Sequence, residues 1–301
     1  MKRAAPGSDI WTVTWAGDGH LYTSWGDGGG FGGGDWIGRV SMGVARIEGN
    51  PESWKGVNIW GGLNPESQEK PFAGKAQGML SLDGVLYMSV SKQGVWNVSK
   101  IARSTDYGRT WTSGGWDFES PFANPAFLNF GKDYERSRDR YVYSYARDLT
   151  NPTNVILARV SKGQIMDRQA YEFFAGMDAE ARPVWVSDVA KRQPVLSDPN
   201  GIGWGVRVVY NPGIKRYLLS VFHGPVPEHG DGSWGIFDAP EPWGPWTTVA
   251  YYRNWIDATP KFGFEFPAKW ISDDGKALWM VFSGTGIYDS FNLVKGTLTL
   301  Q

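Results

Sequence analysis

The chain has 301 residues, 41% hydrophobic and 20% charged, enough for one large domain or two small ones with a buried core. Its formal net charge of −1 leaves no excess of Lys and Arg for a nucleic-acid or polybasic membrane surface. The absence of cysteine excludes disulfide frameworks, thiol nucleophiles and zinc–thiolate sites, and the three histidines, His20, His223 and His229, lack the HExxH spacing of a zinc protease.

Forty glycines and 18 prolines argue against helices, where each costs roughly 1–3 kcal/mol, and favour short strands joined by turns. No stretch reaches the ~20 apolar residues that span a bilayer, and no apolar segment follows the basic start MKRAAP. Neither a membrane span nor a signal peptide is expected, and the chain is expected to be soluble.

In chain order, the first element is a hairpin, 10–15 and 21–25, around the turn Gly17, Asp18, Gly19. The pattern returns at 78–82 and 85–90 around Asp83 and Gly84, and at 126–130 and 141–145 across a polar insertion. It appears again at 205–210 and 216–221 around NPG 211–213, and at 268–272 and 277–282 around DDG 273–275. Each hairpin is followed by further strand-like runs: 40–47, 99–103, 155–160, 234–238 and 293–300. Units of roughly 55–75 residues, each with about four strands, predict an all-β, five-bladed β-propeller. It is expected to fill 1–301 as one domain, with blades at roughly 8–50, 75–118, 122–175, 200–250 and 262–301. A β-sandwich shares the turn spacing, but five copies of one unit fit radial repetition better. The one helical candidate is short, near 162–167.

The run STDYGRTW at 104–111 fits S-x-D-x-G-x-T-W and resembles the Asp-box of sialidase-like propeller blades. There the Asp caps a tight turn and the Trp packs between blades, so Asp106 is expected to be structural rather than catalytic.

In a propeller, the start of each innermost strand and the end of the second lie on one face, opposite the hairpin turn. In the first unit the turn centres on Asp18, so positions summing to 36 oppose each other and Asp9 faces Asp27. Cross-strand partners lie about 4.5–5.5 Å apart at Cβ. Two carboxylates at a channel mouth suit glycoside hydrolysis, where one donates a proton and the other acts on water or the anomeric carbon. Their proximity raises one of the two pKa values. The alternative is that Asp27 fixes a Gly-rich turn and Asp9 caps a strand.

The same rule gathers Lys75, Trp204, Arg207, His223, Glu265 and Lys269 into a mixed-charge pocket for a hydroxyl-rich ligand, although each alone also reads as a rim charge or core residue. Glu265 is the third carboxylate that would tune the pair. His20 and His229 read as turn and loop residues. Trp11, Trp15, Trp25, Trp36 and Trp270 offer flat faces for sugar C–H groups or fill the wedges between blades. Trp25 and Trp36, flanking the Asp27 loop, are the expected ligand contacts. The loop GDGGGFGGGD at 26–35 lacks the Lys-Ser/Thr of a phosphate cradle and the tandem copies of a calcium repeat. It is expected to lie low and flexible over the channel, ordered by ligand. No metal or cofactor is expected.

The runs DIWTVTWAGDGHLYTSWGDG at 9–28, SMGVARI at 41–47 and FLNFG at 127–131 resemble a bacterial and phage family of five-bladed propellers, long a domain of unknown function. So do DRQAYEFF at 167–174, APEPWGPW at 239–246 and FPAKW at 266–270. Members include endo-D-arabinanases that cut the arabinan of mycobacterial arabinogalactan and lipoarabinomannan. The resemblance implies an endo-acting glycoside hydrolase on a furanose polymer, with Asp9 and Asp27 as its acidic pair. It implies a secreted or envelope-acting protein, or a phage lysin, that is monomeric and takes a polysaccharide. Asp9, starting the innermost strand, is expected to be base or nucleophile, and Asp27 the acid. Two other readings stand beside it: a polysaccharide lyase using His223 with a Tyr or Lys, and Arg207 for a uronate, or a non-catalytic carbohydrate-binding propeller.

Overall fold

A two-strand ribbon with apolar residues on both faces is buried only if further sheets cover it, and stacking such sheets around an axis achieves this. The computed structural model describes residues 1–223, 232–257, 259–284 and 289–300 and is an all-β, five-bladed β-propeller. His229 lies outside the described residues.

From the axis outward, the first blade is Asp9–Trp15, Leu21–Gly26, Met42–Asn50 and Ser53–Trp60. The second is Lys75–Leu82, Val85–Lys92, Val95–Ser104 and Phe118–Glu119, with Thr112–Ser113 alongside. The third is Ala126–Phe127, Tyr141–Arg147, Asn154–Ser161 and Glu172–Met177, extended by Pro183–Val186 and Pro194–Ser197. The fourth is Arg207–Asn211, Arg216–Phe222, Trp234–Ala239 and Thr247–Tyr252. The fifth is Lys261–Glu265, Ala277–Gly284 and Phe291–Thr297. Its outermost strand comes from the other end of the chain: Lys2–Ala4 pairs with Phe291–Thr297, Lys2 opposite Leu293, and this closes the ring. Among the described residues, helical structure is confined to short 3₁₀ turns, one of them, Lys162–Gln164, in the expected helical stretch.

The fifth blade begins earlier than its turn signal implies. Lys261–Glu265 is the inner strand, whereas Ala268–Trp270 is a 3₁₀ turn. Pro267, without an N–H, cannot extend the ladder.

Aromatic residues fill the wedges. Trp11 is fully buried, its ring centroid 5.8 Å from Trp25 and 5.1 Å from Phe291 of the fifth blade. Across the axis, Thr14 Oγ1 donates to Asn129 Oδ1 at 2.8 Å and accepts from the Ser81 N–H at 2.8 Å, tying the first two inner strands to the segment that follows the third.

The 104–111 turn forms as its motif predicts. Asp106 Oδ1 accepts from Ser104 Oγ and from the N–H groups of Arg109 and Thr110, while Thr110 Oγ1 donates to Oδ2 at 2.7 Å. Trp111 packs on Trp60 of the first blade, centroids 6.0 Å apart. Asp106→Ala removes every one of these acceptors, so a loss of about 1–3 kcal/mol is expected, read as a Tm lowered by a few degrees with catalytic turnover unchanged. An unchanged Tm would contradict the capping role.

Candidate active site

The first hairpin keeps the expected register from Trp15, opposite Leu21, to Thr12, opposite Ser24. A β-bulge then sets Ile10 and Trp11 against Trp25 alone, so Asp9 opposes Gly26 rather than Asp27. Ile10 adopts φ +51°, an outlier for a β-branched residue, and its N–H donates to Ser283 Oγ at 3.1 Å. Bulges re-aim side chains, and this one turns the Asp9 carboxyl into the space that a side chain at 26 would fill. A Cβ on Gly26 would lie 2.6 Å from Asp9 Oδ1 and 3.0 Å from Lys75 Cδ. Glycine at 26 is therefore what brings Asp9, Lys75 and the next residue, Asp27, together.

Asp27 sits at φ +53°, a left-handed conformation that aspartate tolerates. Its side chain is 34% exposed, with Oδ1 2.5 Å from Lys75 Nζ and 3.4 Å from Arg39 Nη2. Lys75 also donates to Ser41 O at 2.7 Å, and Arg39 reaches Asp35 Oδ1 at 3.3 Å. The charge of an ionised Asp27 is thus compensated by two cations.

Asp9 lies beneath, 8% exposed, its Oδ1 buried with no hydrogen bond among the described residues. Burial pushes its carboxyl well above the usual range, and Asp289 and Asp27 add to this while Lys75 and Arg39 oppose it. Asp289, which follows the second strand of the fifth blade, is pushed up to about 6 by burial and then by Asp27 and Asp35. Its carbonyl accepts from the Gly7 N–H at 2.8 Å. Nothing in the sequence pattern marks Asp35, Arg39 or Asp289 as site residues, although the rule of looking past each second strand leads, beyond Gly284, towards Asp289.

Because the folded protein favours protonated Asp289, ionisation costs stability. Wild type is expected to lose stability relative to Asp289→Asn as pH rises from about 4, near the ordinary carboxylate value, to about 6. Parallel Tm curves for the two proteins across that window would contradict this.

The other expected residues divide. Arg207 and Glu265 are both buried and meet in the channel wall, Nε to Oε2 3.3 Å, and Arg207 Nη1 donates to Gln77 O at 3.0 Å. Burial pushes Glu265 up to about 7, against the pull of Arg207 and of the Val13 N–H. Trp204, half-buried, packs on Phe222 and Phe262 where the fourth blade's inner strand begins. Trp36 is 91% exposed on the Asp27 loop.

Three expectations are corrected. Trp25 is 0% exposed and belongs to the wedge between blades, so it has no face for a sugar. His223 is buried, Nδ1 2.9 Å from Gly201 O and its ring 5.2 Å from Tyr251, turned into the fourth blade rather than the channel. Lys269 donates to Gly19 O at 2.7 Å, in the turn of the first hairpin, and so lies at the opposite end of the channel. The early start of the fifth blade moved it there. The Gly-rich loop also differs from expectation. Asn58 pins it, donating to Gly29 O and Phe31 O at 3.1 Å and accepting from the Phe31 N–H at 2.9 Å. A Cβ on Gly30 would meet Trp25 at 2.5 Å, so its glycines let the loop pack down on the core. Among the described residues, no group of three or more His, Asp or Glu side chains is placed to hold a metal ion.

Residues 77–291 match the family model described as domain of unknown function DUF4185. No curated protein sequence matches the chain. Among solved structures, the fold is similar to that of an inferred hydrolase from Bacteroides ovatus ATCC 8483, with TM-score 0.61, 11% identity, and coverage of 95% of this chain and 84% of that one. It is similar to xylan β-1,4-xylosidase from Bacillus halodurans C-125, with TM-score 0.56, 13% identity, and coverage of 98% and 54%. An α-L-arabinofuranosidase from Podospora anserina aligns with TM-score 0.54, 12% identity, and coverage of 98% and 92%. These likenesses show the shared fold.

Proposed function

The chain belongs to the DUF4185 family, and we propose that it is an endo-acting glycoside hydrolase cutting D-arabinofuranosyl linkages in arabinan of the mycobacterial arabinogalactan and lipoarabinomannan type. The carrying observation is the juxtaposition, at one mouth of the channel, of a carboxyl whose burial favours its neutral form and an ion-paired one. This electrostatic contrast favours exchanging the roles expected from chain position. Asp9 is the acid: its proton passes to the glycosidic oxygen as the bond to the anomeric carbon breaks. Asp27 is the carboxylate that activates water or attacks the anomeric carbon. A carboxyl separation near 5 Å gives retention and one of roughly 6.5–9.5 Å inversion. Trp36 offers its exposed face to the polymer, and Arg207 and Glu265 line the channel wall.

The sugar rests on the resemblance of 9–28 to the family containing endo-D-arabinanases. The substrate is a polysaccharide met outside the cell or at its envelope, and the protein acts as a monomer without a cofactor. Burial of His223 removes the base a lyase would use. Among inner strands, only the first begins with an acid, the others starting at Lys75, Ala126, Arg207 and Lys261, unlike a lectin with equivalent sites in every blade.

Incubation with a panel of plant and bacterial polysaccharides tests the reading. Oligosaccharides of graded size are expected from D-arabinan, without the near-ultraviolet absorbance of unsaturated products. Release from uronate polymers with that absorbance would replace hydrolase by lyase, and binding without products would leave a lectin.

A further inference from the structure

The inner strand Asp9–Trp15 carries the channel about 20 Å away from the acidic mouth, at about 3.3 Å per residue. At that far end lies a second cavity, of about 290 Å³. Trp15 ends the first blade's inner strand, Arg136 follows the third's, Tyr210 belongs to the fourth's, and Lys269, Ser272 and Asp273 follow the fifth's.

Its lining is rich in donors and poor in acceptors. The indole N–H of Trp15 is buried and has no acceptor among the described residues. Lys269 Nζ is anchored on Gly19 O, and neither Lys269 nor Arg136 forms an ion pair among the described residues. Burial pushes the Lys269 ammonium down, with Asp18 opposing this and Lys132 adding to it. Asp18 is already engaged by the His20 N–H and Tyr22 Oη, and Asp273 is exposed on the rim turn. Lys269 is half-buried without a counter-charge and Arg136 stands exposed at the rim, so an anion is favoured between them, and an aromatic wall favours the apolar face of a sugar ring.

We propose that this rear mouth is a second ligand site, taking a single acidic sugar unit whose carboxylate or phosphate lies between Arg136 and Lys269 with its ring against Trp15. At 290 Å³ the cavity suits one sugar rather than a chain. The site is independent of the front mouth and of the activity proposed there.

Calorimetric titration with D-glucuronate, glucose 6-phosphate, D-glucose and inorganic phosphate tests it. At least one acidic sugar is expected to bind one to one, at least tenfold more tightly than glucose or phosphate. Which of the two binds separates a uronate from a sugar-phosphate ligand. Arg136→Ala and Lys269→Gln should each weaken binding about tenfold or more, and Asp27→Asn should leave it unchanged. Arg136 is exposed, so its variant keeps the fold even if loss of the Lys269–Gly19 bond disturbs the other, and the Tm of each is checked first. Absence of saturable binding by both acidic sugars would overturn the proposal. So would equal binding of glucose or phosphate, binding that survives Arg136→Ala, or binding lost in Asp27→Asn.

Discussion

Asp9→Asn is expected to release arabino-oligosaccharides about a thousandfold more slowly than wild type, within the 10²–10⁴ range of general acid–base catalysis. The leaving group tells which role is lost. A sugar alkoxide needs a proton as it departs, whereas 4-nitrophenolate does not, so an aryl arabinofuranosyl oligomer should recover most of its first-step rate in Asp9→Asn and not in Asp27→Asn. Equal losses on both substrates for both variants would contradict the assignment of Asp9 as acid. The substitution also bears on stability. Burial favours the neutral Asp9 carboxyl in the folded state, so ionisation costs stability as pH rises above the unfolded value near 4. Asn mimics the protonated form, and the variant is expected to be more stable than wild type at neutral pH, with the gain vanishing in acid.

Lys75→Met is expected to lower kcat/KM by about a hundredfold, the second largest effect. Lys75 Nζ is 2.5 Å from Asp27 Oδ1 and is the cation that most opposes protonation of Asp9. Its loss leaves Asp27 only Arg39, at 3.4 Å, and drives Asp9 further towards its neutral form. The pH–rate profile should therefore move to higher pH, a shift that a merely structural lysine would not produce. Lys75→Arg, which restores the charge, should bring the profile back, and an unmoved profile in Lys75→Met would refute the coupling.

The propeller is legible in the sequence because turn chemistry and apolar alternation are local. Asp18-Gly19, Asp83-Gly84 and Asn211-Pro212-Gly213 each mark a hairpin, and the Asp106 turn forms as its motif requires. Long-range events are not local. The pairing of Lys2–Ala4 with Phe291–Thr297 joins segments almost 300 residues apart, and nothing in MKRAAP signals it. The pairing rule does not anticipate the bulge at Ile10, which sets Asp9 opposite Gly26, because a left-handed isoleucine is fixed by Ser283 from another blade. For Lys269 the turn signal points to the wrong end of the channel, because it marks a real hairpin but not the start of its first strand. Trp25 and Trp36, alike in type and both near Asp27, differ in that Trp11 and the pinned loop cover one and leave the other in solvent. Asp289 is a site residue only through folding, which closes the fifth blade against the first.

Digestion of mycobacterial arabinogalactan by wild type and by the Asp9→Asn/Asp27→Asn double variant, with products sized by mass and their end groups identified by proton NMR, tests the central claim most directly. Wild type should yield a ladder of arabino-oligosaccharides with ordinary saturated reducing ends, and the folded double variant none. An intact polymer with wild type, or the same ladder from the double variant, would contradict the account.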